Sequence, residues 1–275
     1  MNIQRHLLET RHGYMHVRTI GEGDIPLVLL SPGLSAGRIY IPLAEYFNDR
    51  LIVIPDRLGF GHSDRLTTPL PFSELAQATL DALDSLGVDQ FDAFGVHTGS
   101  IESIELAAIH PQRVRRLAVV EVPAFSENEI AEFKSHYVEH PPPARDGSHL
   151  KWYWNWWRIG DYDGGAPRPN TYDPKLTQQW VEEHLAALPD FWWAYHAAIE
   201  QPTRDRVKQI TQPMMVFSTH DDLTEQTLRA IPSLPQGTAV IDLPDFADIL
   251  KLFAWLPSDT ETIISHLRPF LDESR

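Results

Sequence analysis

The sequence predicts an α/β fold, with a mainly parallel central sheet flanked by helices and a helical segment inserted into it. Three observations carry this expectation. Short apolar runs alternate with helical patterns up to residue 122 and again from 207 to 275. Between 123 and 206 the alternation breaks, and the chain turns aromatic and proline-rich. A glycine-flanked stretch, Gly95-Val96-His97-Thr98-Gly99, joins one apolar run directly to a helical pattern. The expected organisation is therefore an α/β core made of 1–122 and 207–275, with 123–206 as a helical, aromatic-rich cap insertion.

The runs 26–31 (PLVLLS), 51–55 (LIVIP), 91–96 (FDAFGV) and 117–122 (LAVVEV) are almost continuously apolar, as strands covered on both faces are. Two further strands are expected at 214–218 (MMVFS) and 239–243 (AVIDL), and 17–20 reads as part of an N-terminal antiparallel hairpin. Between them, 72–86 places Leu75, Ala76, Leu80, Leu83 and Leu86 near helical spacing. The stretch 101–109 is mostly apolar and expected to be buried. The stretch 260–271 sets Ile263, Ile264, Leu267 and Phe270 on one side of a C-terminal surface helix. In such sheets the ligand sits beyond the carboxyl ends of the strands.

With 38 acidic and 23 basic residues, the net charge is -15, which disfavours a nucleic-acid partner or an anionic membrane surface. There are no cysteines, so disulfides, thiolate metal sites and a cysteine nucleophile are excluded. No apolar run reaches the ~18 residues that would span a membrane, and the first residues lack the apolar core of a secretion signal. A cytoplasmic protein acting on a small molecule is expected. Nothing in the sequence sets an oligomeric state.

A strand that turns straight into a helix crowds its neighbours, so small residues must flank the central one. That central residue, His97, is pushed out at the top of the sheet beside the free N–H groups of the following helix. Two more stretches join it. Asp56-Arg57-Leu58-Gly59-Phe60-Gly61-His62-Ser63 follows one buried strand, and His220-Asp221-Asp222 ends another. Together these resemble the α/β-hydrolase family, over nearly the whole chain. The resemblance implies an oxyanion hole from the backbone N–H groups of Thr98 and Leu34, the latter in the loop Pro32-Gly33-Leu34-Ser35. It implies no organic cofactor, and no dinucleotide or phosphate loop is present.

The sequence departs from the family at the catalytic positions. The elbow centre, which the family fills with Ser, Cys or Asp, is His97. Ser100 lacks flanking glycines and belongs inside the helix. The family's acid position matches Asp222, with Asp221 as the fallback. Aligned on Leu243-Pro244, Asp248 stands where the family carries its histidine. An ordinary Ser-His-Asp mechanism is not available.

The residue types leave three chemistries open. His97 can act as a general base oriented by Asp248 and supported by Asp222, activating water for hydrolysis or abstracting a proton in lyase or isomerase chemistry. The cleft can also bind a ligand without turnover. A cation held by His97, Asp222, Asp248 and His220 matches no recognised ligand spacing, so no metal is expected. The insertion holds Trp152, Trp154, Trp156, Trp157, Trp180, Trp192 and Trp193. A lid this aromatic suits an apolar or aromatic carbonyl compound, with Trp154, Trp157, Trp192 and His220 as the expected substrate contacts. His62 and Asp56 are read as loop structure, and Arg38 as a solvated arginine.

Overall fold

A computed structural model describes residues 2–33, 35–136, 141–159, 174–246, 255 and 257–273. Eight strands form one sheet in the order β1-β2-β4-β3-β5-β6-β7-β8. β1 (Ile3–Thr10) and β2 (Gly13–Ile20) make an antiparallel hairpin, and β2 pairs antiparallel with β4 (Ile52–Pro55). The remaining pairings, through β3 (Leu27–Leu30), β5 (Phe91–Val96), β6 (Val114–Val120), β7 (Met214–Thr219) and β8 (Ala239–Leu243), are parallel. Every residue of β3, β4, β5 and β7 is buried, which is why these stretches read as unbroken apolar runs.

A short helical turn, α1 (Ile41–Ala44), precedes β4. α2 (Phe72–Ser85) buries Leu75, Ala76, Leu80 and Leu83, the stripe its spacing predicts. α3 (Thr98–Ile109) starts three residues earlier than the apolar pattern suggests, because the glycine-flanked turn feeds it without a loop. Between β6 and β7 the chain leaves the sheet and forms α4 (Glu127–His136), α5 (Ser148–Ile159), α6 (Pro174–Ala186), α7 (Phe191–Ile199) and α8 (Thr203–Val207). After β7 come α9 (Thr224–Ala230) and, past β8, α10 (Pro257–Asp272), which turns Ile263, Leu267 and Phe270 inward.

One expectation of strand length fails informatively. The apolar run 117–122 does not continue as strand to its end: β6 stops at Val120, and Glu121 takes φ 66. A non-glycine residue in that region carries strain of order 1–3 kcal/mol unless its surroundings hold it there. What holds Glu121 lies at the candidate site.

Asp56 shows how the sheet supports that site. Its buried carboxylate accepts from Arg18 Nη1 at 2.6 Å, Gly37 N at 2.7 Å and His62 N at 3.1 Å, and pairs with His16 Nδ1 at 2.9 Å. One side chain thus ties the N-terminal hairpin, the 3-10 turn that precedes α1 and the loop after β4 to each other. These bonds hold the carboxyl ionised against its burial.

Candidate active site

Registered strands bring the chemistry to one edge. Leu30 pairs with Gly95, Gly95 with Val119, and Val120 with Phe217, so the carboxyl ends of β3, β5, β6 and β7 lie side by side. Beyond them sit the 31–33 loop, His97, Glu121 and the 220–222 turn.

His97 occupies the elbow with φ 50 and ψ −111, and α3 begins at the next residue. A Cβ on Gly95 would lie 2.1 Å from Gly99 O, and one on Gly99 would lie 1.9 Å from Leu30 O. Neither position admits a side chain, so the crowding predicted from the sequence is real. Ser100 is fully buried and donates to Val120 O at 2.6 Å, a packing role inside α3.

The imidazole meets a carboxylate across the gap between β5 and β7. His97 Nε2 lies 3.2 Å from Asp221 Oδ2. Asp221 Oδ1 accepts from Leu223 N at 2.9 Å, which fixes the carboxylate in the turn that opens α9. The expected acid position therefore shifts by one residue: Asp221 reaches the ring, while Asp222 is exposed and acts on it only as a nearby charge. Burial pulls the His97 ring towards neutrality, but its bond to Asp221 and the charges of Asp221, Asp222 and Glu121 outweigh this and raise its pKa. Asp221 is held below the usual carboxylate range: burial works against its charge, and the His97 contact and the Leu223 amide win.

Thr98, the predicted anion donor, sits at the N-terminus of α3, where backbone N–H groups lack intrahelical partners. Leu34 and Asp248 lie outside the described residues. Trp157 belongs to α5, but its side chain is also outside them. Trp154 is half-buried against the core. Trp192 faces an open groove of about 510 Å³ with Phe72, Trp193 and His196, and neither His97 nor Thr98 lines that groove. His220 is exposed and turns to the sheet edge, with Nε2 2.8 Å from Asp242 Oδ1 on β8. Arg38 is not simply solvated, since it pairs with the buried Glu183 of α6, which also accepts from Ala36 N at 2.9 Å.

Sequence reasoning missed Tyr195 of α7. A Cβ on Gly33 would lie 2.7 Å from Tyr195 Cζ and 2.8 Å from Thr98 Oγ1, so the Tyr195 ring lies against the loop after β3, beside the start of α3. It stands among three other aromatic residues in FWWAY, and nothing in that pattern singles it out. Arg57 was also overlooked. Buried, it donates to Ser31 O at 2.9 Å and to Glu102 of α3 at 2.6 Å, tying the same loop to the elbow helix.

The donor atoms of His97, Asp221 and Asp222 lie within 4.8 Å of one another, as do those of His16, Asp56 and His62. The positive end of α3 opposes a cation at the first set, and Arg18 on Asp56 opposes one at the second.

A mainly parallel sheet, a strained elbow at its carboxyl edge, helix N–H groups beside it and an acidic partner from a later strand define an α/β protein with a polar, titratable site at the carboxyl edge of its sheet. The family model for the alpha/beta hydrolase fold matches residues 26–224, and the chain belongs to that family. The chain is 32% identical over 102 residues to the 2-hydroxymuconate semialdehyde hydrolase of Pseudomonas sp. (strain CF600), covering 34% of this chain and 35% of that protein. The chain thus spans about a third of the length of the curated relatives it matches. The same fold occurs in the enol-lactonase from Burkholderia xenovorans LB400, at 18% identity and TM-score 0.75 over 96% of this chain and 98% of that one. It also occurs in a thermophilic esterase from Thermogutta terrifontis, at 17% identity and TM-score 0.75 over 97% and 99%. Among the described residues, no helix is long and apolar enough to cross a membrane.

Proposed function

We propose that this protein is a hydrolase for small, mainly apolar or aromatic carbonyl compounds, and that the His97–Asp221 pair is its general base. The observation that carries this reading is the 3.2 Å contact between His97 Nε2 and Asp221 Oδ2 at the N-terminus of α3. With Nε2–H donated to an ionised carboxylate, the lone pair of the neutral ring resides on Nδ1. Nδ1 takes a proton from water, and the oxygen attacks the carbonyl carbon. The resulting oxyanion is met by the Thr98 N–H, with Leu34 N–H as its proposed companion. The imidazolium then returns its proton to the leaving group as the tetrahedral intermediate collapses, giving acid and alcohol. Asp221 holds the tautomer and stabilises the imidazolium, the part the sequence alignment gave to Asp248. Asp222 supports the ring's charge from outside.

The segment 123–206 acts in this reading as the cap. Its Tyr195 beside Gly33 and Thr98 supports that role, as does the anchoring of its C-terminal end by Arg206 to the buried Glu105 at 2.6 Å. The named relatives and structural neighbours include hydrolases of a semialdehyde and an enol-lactone, which are small unsaturated carbonyl compounds. The test is a panel of aromatic esters, enol esters and β-keto compounds, assayed with wild type and His97→Ala. A general base is worth ~10²–10⁴-fold, so the variant loses at least ~100-fold in kcat. Equal turnover ends the base assignment. Solvent deuterium exchange into an enolisable ketone without hydrolysis would reassign the pair to proton abstraction.

A further inference from the structure

Behind Asp221 lies a buried acid that the mechanism above does not use. Glu121 is fully buried at the end of β6. Its Oε1 meets both the backbone N–H and the hydroxyl of Thr219, and its Oε2 meets the hydroxyl of Thr227 on α9. Thr227 Oγ1 in turn accepts from Val122 N at 2.8 Å. These bonds hold Glu121 in its left-handed conformation. Thr219 also acts on Asp221, where its hydroxyl helps keep the carboxyl ionised.

Counting hydrogens exposes a choice. The Thr219 hydroxyl has one hydrogen and two carboxylates to serve. Thr227, whose oxygen already takes the Val122 N–H, directs its own hydrogen to Oε2. An added proton on Glu121 therefore belongs on Oε1, facing the Thr219 oxygen. We propose that Glu121 and Thr219 form a positioning pair that sets the basicity of His97. With Glu121 protonated, Oε1–H donates to the Thr219 oxygen and Thr219 passes its hydrogen to Asp221. With Glu121 ionised, Thr219 turns its hydrogen to Glu121, and Asp221 loses a donor.

The two arrangements act on His97 in opposite directions, and the hydrogen-bond change and the charge change reinforce each other. In the first, Asp221 is better solvated by its donors and pulls less on the imidazole proton. In the second, Asp221 is barer and a second negative charge stands behind it, so His97 holds its proton more tightly. Burial, with the charge of Asp221 added, pushes the Glu121 carboxyl up to about 7, so both arrangements are populated near neutrality. Asp221 acts on this carboxyl from the 220–222 turn and His97 feels its charge from the elbow, where Asp222 of the same turn also acts on the ring. Glu225 and Arg229 share α9 with Thr227, Arg229 being paired with Glu129 of α4 at 2.6 Å.

This inference rests on His97 and Asp221 being the working pair, but its test needs no substrate. Histidines labelled with ¹⁵N are titrated by NMR in the full chain, with His97 assigned by the signal lost in His97→Gln. Wild type gives a His97 curve with a second inflection near neutral pH. Glu121→Gln, whose amide N–H also donates to the Thr219 oxygen, removes that inflection and lowers the proton affinity of His97 about 3- to 10-fold. Thr219→Val, which keeps the shape and removes the hydroxyl, shrinks the inflection without needing Glu121 to change. A His97 curve that superimposes on wild type in either variant overturns the proposal. Undiminished turnover by His97→Ala would instead sink the base reading and leave this coupling standing.

Discussion

Replacing Asp221 by Asn tests the site at its centre. Two unit charges 3.2 Å apart in an effective dielectric of ~20 attract by about 5 kcal/mol. Much of this is offset, because burial works against the charge on both partners and Asp221 keeps the Leu223 amide. An opposite charge at such range moves a midpoint by ~1–3 pH, so Asp221→Asn should lower the proton affinity of His97 about 10- to 1,000-fold. Asn also presents an N–H where the ring expects an acceptor, which favours the wrong tautomer. Turnover at pH 7 is expected to fall ~100-fold or more even though the ring is more often neutral. Asp222→Asn, on an exposed side chain, should change proton affinity less than about 3-fold. The assays are the NMR titration of His97 and kcat on the best ester found. Equal effects of the two substitutions, or a larger one from Asp222, would refute the assignment of Asp221 as the ring's partner.

Other consequences are open to direct measurement. Gly99→Ala, which drives a methyl to 1.9 Å from Leu30 O, should cost about 3 kcal/mol or more in urea unfolding. Tyr195→Ala should raise KM for aromatic esters about 10-fold with a smaller effect on kcat, as loss of one ring contact implies; an unchanged KM removes Tyr195 from the binding surface. The His97–Asp221 pair stabilises the fold most between the ordinary carboxylate and imidazole values of 3.8 and 6.5. Its contribution fades as pH falls through the lowered Asp221 value or rises through the raised His97 value. Glu121 works in the same sense on the alkaline side: a carboxyl at 4.5 when unfolded and about 7 when folded costs about 1 kcal/mol of stability between pH 6 and 8. Glu121→Gln should flatten that decline in chemical unfolding, and an unchanged slope would place the titration elsewhere.

The sheet was legible because buried parallel strands leave unbroken apolar runs, and the elbow because steric crowding leaves glycines. Contacts set by where a strand stops were not. Whether Asp221 or Asp222 faces the elbow depends on β7 ending at Thr219, paired with Leu243, and on the turn that follows. Composition carries no trace of that one-residue offset. Glu121 was hidden for the same reason. Inside LAVVEV it reads as a lone polar letter in a strand, and only its departure from the strand makes it a neighbour of the site. Tyr195 and Trp192 share α7, and a run of adjacent aromatics gives no phase by which to tell the ring facing Gly33 from the one facing the groove.

The strained backbone at residue 97 is imposed from outside that residue. Gly95 and Gly99 let the chain pass close to itself and to Leu30, and the amides of Ser100 and Ile101 both bond to His97 O, at 2.9 and 3.2 Å. None of these contacts involves the imidazole. The position is therefore a socket: its frame fixes direction and field, and leaves the identity of the inserted group free. Exchange of that one side chain, with its acidic partner from β7 left in place, could change the reagent presented to the cleft while the sheet beneath stays as it is. A fold arranged this way can turn over its chemistry faster than its architecture.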